Sequence, residues 1–131
     1  MNHLIYYFSG TGNSLQVARV LGKKLGDTEL VPMLSNIKTG AIAPQATCIG
    51  LVFPVHNFTL PAVVQSFLKT ADFSLTEYIF AVATRGGSPC RVFMHLDRLL
   101  GKQGKKAQAF FYIDMPNNWL LLWDAPSSAE R

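Results

Sequence analysis

Short apolar runs alternate with amphipathic stretches along this chain, and the alternation predicts its architecture. Leu4-Ile5-Tyr6-Tyr7-Phe8, Thr47 to Phe53, Tyr78 to Ala83 and Ala107 to Ile113 are of strand length and largely apolar, as strands covered on both faces are. Glu29 to Met33 is a weaker run, and its Pro32 suits an edge strand. Leu15, Ala18, Leu21 and Leu25 fall at helical spacing, and so do Val63, Val64, Phe67 and Leu68. A third helical face is formed by Val92, Phe93, Leu96, Leu99 and Leu100. Pro61 and Pro89 stand in the first turns of the second and third of these helices, where a missing N–H costs nothing. Residues 35–45 are polar and punctuated by Gly and Pro, which predicts a loop holding about one helical turn.

The resulting order is β-α-β-loop-β-α-β-α-β. Strands alternating with helices predict a parallel sheet with right-handed crossovers. Ligands of such sheets bind outside the carboxyl ends of the strands, where the strand order reverses. Three loops are expected to meet there, at residues 9–14, 54–59 and 84–89. All three are rich in Gly, Pro, Ser, Thr or Asn.

The first loop is the most informative. Ser9-Gly10-Thr11-Gly12-Asn13-Ser14 joins a buried strand to a helix. The first amides of a helix have no internal partners and carry the positive end of its dipole. A Gly-rich turn lets several of them converge on one phosphate, with the Ser9, Thr11 and Ser14 hydroxyls as further donors. Neighbouring motifs are excluded by single residues. The third glycine of a dinucleotide fingerprint is replaced by Leu15, and Glu29 opens the second strand instead of closing it. A nucleoside-triphosphate loop requires Gly-Lys-Ser/Thr, whereas the first lysine here is Lys23. What is left is a cradle of neutral donors suited to a monophosphate.

Composition narrows the classes further. The chain has 131 residues, 49% hydrophobic, enough for one domain with a core of its own. No apolar run approaches the roughly 20 residues needed to span a bilayer, and Met1-Asn2-His3 lacks a basic leader. Two cysteines, Cys48 and Cys90, are too few for a disulfide framework, so a reduced, cytoplasmic protein is expected, with structural roles for both. Net charge is +4, with the basic residues scattered apart from Lys102, Lys105 and Lys106. No basic face interleaved with aromatics is visible, which argues against nucleic acid. An acidic protein partner or an anionic ligand fits this charge balance better.

An apolar strand running into Ser-Gly-Thr-Gly-Asn-Ser resembles the flavin mononucleotide (FMN) loop of flavodoxins. The similarity continues through Gly50 to His56, Leu60 to Leu68, Ala83 to Ser88, and Asp114-Met115-Pro116-Asn117-Asn118-Trp119. In that combination the chain is most similar to the flavodoxin-like domain of prokaryotic flavodoxin–ferredoxin fusion proteins. The resemblance implies a flavodoxin-like three-layer α/β sandwich over residues 1–119, with a five-stranded parallel sheet of order 2-1-3-4-5. It also implies FMN as cofactor. The phosphate is expected on Ser9, Gly10, Thr11, Gly12, Asn13 and Ser14. The flavin ring is expected between Pro54, Val55, His56, Asn57 and Phe58 on one side and Thr84, Arg85, Gly86, Gly87 and Ser88 on the other.

Three departures from the family pattern stand out. The ring loops offer only His56 and Phe58 where many flavodoxins have a tryptophan and a tyrosine, with Trp119 as a further stacking candidate. The chain is basic, whereas flavodoxins are usually acidic. After the last strand only a short segment, residues 120–131, stands where a final helix is expected, so that helix is short or missing. The later strands should then expose apolar surface that calls for a partner, either a second copy or a further part of a longer chain. Two cysteines cannot hold an iron–sulfur cluster, so the ferredoxin half is not in this sequence.

The expected function is electron transfer by bound FMN, with a redox protein as partner, either a ferredoxin-type module or an acidic electron-transfer protein. The alternative within the fold is an FMN-dependent oxidoreductase that reduces quinones or flavins with NAD(P)H. No catalytic side chain and no metal ligand are expected. A phospho-accepting receiver domain is excluded, because Phe8 and Phe53 occupy the strand ends where it needs carboxylates. Arg85 is placed to offset charge on the reduced flavin, and His56 to hydrogen-bond it or relay a proton.

Overall fold

The computed structural model describes residues 3–9, 13–39, 43–55, 60–84 and 90–113. Five parallel strands form one sheet: β1 (His3–Tyr7), β2 (Thr28–Pro32), β3 (Cys48–Pro54), β4 (Tyr78–Thr84) and β5 (Ala109–Ile113). Their order is β2-β1-β3-β4-β5, as expected, with β2 and its Pro32 at one edge. Four helices connect them: α1 (Asn13–Leu25), α2 (Met33–Thr39), α3 (Ala62–Thr70) and α4 (Cys90–Gly101).

Alternation along the central strands divides the core in two. Ile49, Leu51 and Phe53 of β3 join Tyr6, Ile79, Ala81 and Ala83 on the face covered by α3 and α4. Val64, Phe67, Val92, Leu96 and Leu100 supply the helical side of that cluster, all fully buried. The Phe67 ring lies 4.6 Å from that of Tyr6. Burial pushes the Tyr6 phenol up to about 12, with a smaller contribution from the charge of Glu29. On the other face, Ile5, Val52, Phe80 and Val82 pack against Val17 and Ala18 of α1.

The stretch expected to be a loop with one turn differs. Helix α2, seven residues long, starts at Met33, which was expected to end the strand, and runs into that stretch as far as Thr39. Met33 is fully buried and Ile37, one turn later, packs against the same core. Two apolar residues at i and i+4 suffice to hold a short helix once α3 lies beside it, whereas the exposed Leu34 and the polar residues after it blur the helical period in the sequence. Pro61 also sits one position earlier than expected. It is the N-cap of α3, extended at φ −56° and ψ 146°, and its carbonyl accepts the first helical bond from the Gln65 amide at 3.0 Å.

On β5, Phe111 alternates onto the α1 face, in register with Val82, and is 54% exposed. Phe110 points to the opposite face and stacks on Phe93 of α4, with centroids 4.4 Å apart. The segment expected to replace a final helix, including Trp119 and residues 120–131, lies outside the described residues.

Gly50 of β3 lies beneath an aromatic ring of β4. Its register partner is Phe80, and a Cβ on Gly50 would fall 2.3 Å from the Phe80 ring, which lies across the bare backbone. Gly50→Val is therefore expected to destabilise the fold by about 1–3 kcal/mol, the usual cost of overpacking. Urea denaturation checks this, and adding Phe80→Leu should restore much of the loss. An unchanged midpoint for the single variant would show that the ring is free to move aside.

Candidate functional site

The chain winds away from β1 in both directions, to β2 on one side and through β3 to β5 on the other. The reversal lies between β1 and β3, and the crevice beyond their carboxyl ends is the geometric site of an open α/β sheet. Three observations define its floor. The Phe8 amide donates to Val52 O at 3.0 Å, so β1 continues beside β3 past its last strand residue. Pro54 and Thr84, the last residues of β3 and β4, are register partners, and Ser9 follows directly on Phe8. The Val55 amide donates to Thr84 O at 3.0 Å and holds the start of the second loop against β4.

Above this floor stands the N-terminus of α1. Asn13 and Ser14 occupy its first turn, and α1 is packed on β1, β3 and β4. Its leading amides, which have no carbonyl partner within the helix, therefore face the end of the sheet at which Ser9 leaves β1. Ser14 is buried, and its Oγ lies 3.1 Å from the Oγ1 of Thr84, seventy residues later in the chain. The alternation of β4 explains the meeting. Phe80, Val82 and Thr84 share the α1 face, so the last of them reaches the first turn of the helix above it. The two buried hydroxyls satisfy each other in a single bond.

Of the residues expected to bind a cofactor, the fold brings Ser9, Asn13, Ser14, Pro54, Val55 and Thr84 to this one end of the sheet. Gly10, Thr11, Gly12, His56, Asn57, Phe58, Arg85, Gly86, Gly87 and Ser88 lie outside the described residues. The six that are placed include no titratable side chain, and Pro54, Val55 and Thr84 are buried. The shifted groups lie elsewhere: Tyr6 in the core, Cys48 raised by partial burial, and Asp72 lowered by its bonds to Ser74. Chemically the site can donate hydrogen bonds and seat a flat apolar surface on a rigid floor. Among the described residues no group of His, Cys, Asp or Glu could hold a metal ion.

The direct Ser14–Thr84 bond was not legible in the sequence. Each belongs to a separate polar loop of the sequence, and only the parallel register shows that they face each other. Thr84→Val leaves the Ser14 hydroxyl buried without its partner and is expected to cost about 1–3 kcal/mol. Ser14→Ala should cost a similar amount, and the double variant clearly less than the two together. Equilibrium unfolding of the four proteins checks this, and strict additivity would show that the hydroxyls do not interact.

No protein-family model matches the sequence, and no curated protein does. Solved structures match it in fold. General stress protein 14 of Treponema denticola, determined in complex with FMN, is 9% identical over 98% of this chain and 94% of that one, with a TM-score of 0.69. The two-electron reduced flavodoxin of Megasphaera elsdenii is 20% identical over 97% and 99%, with a TM-score of 0.63. A flavoprotein of Lactobacillus acidophilus in complex with FMN is 13% identical over 94% and 98%, with a TM-score of 0.61. The chain has a flavodoxin-like fold.

Proposed function

We propose that this protein binds FMN in the crevice beyond β1 and β3 and serves as an electron carrier. The observation that carries the reading is the donor set. Ser9 and the first amides of α1 stand where the strand order reverses, and no charged side chain is among the placed residues of the site. Neutral hydroxyls and helix amides suit a phosphate monoester, whose charge the helix dipole favours. Pro54, Val55 and Thr84 supply a dry, rigid floor beside it. FMN, when bound, supplies the redox chemistry. The chain's own residues anchor the phosphate, orient the ring and exclude water from one edge.

The roles of the remaining loop residues belong to the same reading. Thr11 and Gly12 complete the phosphate cradle, while His56, Asn57, Phe58 and Arg85 to Ser88 border the ring. The flavodoxin-like half of the flavodoxin–ferredoxin fusions is the proposed functional analogue, from the resemblance of the loops. A redox protein is the proposed partner, in the cytoplasm. Among the described residues no helix is long and apolar enough to cross a membrane. The exposed Phe111 supports a second proposal, association of two copies through the β5 end of the α1 face.

Titration of the purified protein with FMN tests the function. Saturable, one-to-one quenching of flavin fluorescence is expected. Ser9→Ala removes one hydrogen bond to a charged group, about 1.5–3 kcal/mol, and should weaken binding about tenfold or more. A chain that leaves FMN unquenched would refute the reading, and sustained NAD(P)H oxidation with a quinone acceptor would make it an enzyme instead of a carrier.

The basic character of the chain bears on the potential. Arg85, in the loop after β4, is proposed to offset the negative charge that reduction places on the flavin. Redox titration of Arg85→Ala is expected to give a lower midpoint potential than the parent protein. An unchanged midpoint would leave Arg85 with no electrostatic role.

A further inference from the structure

A groove of about 540 Å³ runs between α1 and the edge strand β2, outside the site described above. Three cations, Arg19, Lys23 and Lys24, stand along its helical wall, and α1 contains no acidic residue. Arg19 and Lys23 are one turn apart and both are exposed. The floor is different in character. Val20 and Leu30 line it with partly buried apolar surface, and Asp27 at the far end is the one carboxylate of the lining.

Gly22 lies in the groove lining between the cations and the apolar floor. A glycine inside a helix costs about 0.5–1 kcal/mol relative to alanine. Sterics do not demand one at this position: a Cβ would meet Leu30 Cδ2 at 3.4 Å and Thr28 Cγ2 at 3.7 Å, ordinary contact distances. What the missing side chain does is leave the groove open between the cations and the apolar floor. The turn that closes α1 onto β2 keeps that opening in shape. Gly26 and Asp27 both adopt positive φ, the Gly26 amide bonds Gly22 O at 3.0 Å, and the Thr28 hydroxyl donates to Gly26 O at 2.7 Å.

We infer that this groove is a docking site for an acidic polypeptide segment, in which carboxylates meet Arg19 and Lys23 while apolar side chains reach Val20 and Leu30. Complementarity of charge selects the sign of the partner, and the apolar floor selects a polypeptide. Single-stranded nucleic acid would want aromatic faces for its bases, and the groove lining contains none. The position also suits a redox partner. Arg19 lies about 9 Å along the helix axis from Asn13 at the candidate site, at 1.5 Å per residue. Only the redox identity of the partner rests on the flavin reading. Docking itself does not, and the test below contains no flavin.

A fluorescein-labelled peptide repeating Glu-Glu-Leu serves as the probe, with fluorescence anisotropy of the full chain at low and moderate salt. Saturable binding that weakens with salt is expected. Arg19→Glu with Lys23→Glu should weaken it by at least about tenfold, as loss of a complementary charge pair does. Gly22→Leu leaves the charge unchanged, favours the helix and fills the floor, and should also weaken binding by about tenfold. Lys102→Glu with Lys106→Glu makes the same change of net charge on the exposed turn after α4 and should alter the affinity by less than about twofold. Circular dichroism confirms that each variant is folded. The proposal fails if the parent chain shows no saturable binding, if the remote reversal weakens binding equally, if Gly22→Leu has no effect, or if a labelled oligothymidylate binds more tightly than the peptide.

Discussion

Burial of β3 on both faces is the constraint on which the rest of the structure depends. Every residue from Ile49 to Pro54 is buried, so the strand must be flanked by parallel partners and covered above and below. Parallel pairing forces each connection across a face of the sheet, and the helices that make those crossovers also supply the cover. α1 takes one face, α3 and α4 the other, and the core divides accordingly. The contact of Gly50 with the Phe80 ring is a local consequence. With β1 and β4 both pressed against β3, an aromatic ring on the α1 face finds room only above a residue without a side chain.

The candidate site follows from the same winding. Because the chain leaves β1 toward both edges, β1 and β3 end beside each other with their following segments diverging, which opens a crevice no side chain has to create. The first turn of α1 borders that crevice, and the Ser14–Thr84 bond ties it to the end of β4. A neutral, internally satisfied anchor of this kind positions amides without adding charge. The charge of a bound phosphate is then met by the helix dipole and by hydroxyls, and the chain's net positive charge remains available on its surface.

That surface charge is not evenly arranged. On α1 the inward residues are Ser14, Val17 and Ala18, while Arg19, Lys23 and Lys24 face a groove with an apolar floor. Toward the opposite edge of the sheet, polar side chains serve the fold itself. Gln103 bridges Ala71 O and the Phe73 amide, Asp97 accepts from the Ala107 amide, and Lys105 Nζ donates to Thr76 O. Lysines of the same sequence thus do different work. Lys105 closes a turn, whereas Lys23 stands on an exposed wall.

Much of this was legible in the sequence because the governing patterns are local. A strand buried on both faces has to be apolar along its whole length, and an amphipathic helix has to repeat every three to four residues, so most of the elements and the parallel sheet could be read directly. The resemblance of Ser9 to Ser14 and the later loops to flavodoxins supplied the strand order, which the fold reproduces. Helix α2 was missed because its core contacts, Met33 and Ile37, are few and stand among exposed residues, and what stabilises it is α3, more than twenty residues away. The Ser14–Thr84 pair and the groove beside Gly22 escaped for the same reason. Hydroxyls seventy residues apart meet only through the register of β1, β3 and β4, and a groove exists only between two packed elements. By itself the sequence determined the elements and the chemistry available at their ends, since those depend on short-range periodicity and residue type. Only the tertiary structure decided which of those residues face one another, because that depends on which strands pair and which face each helix covers.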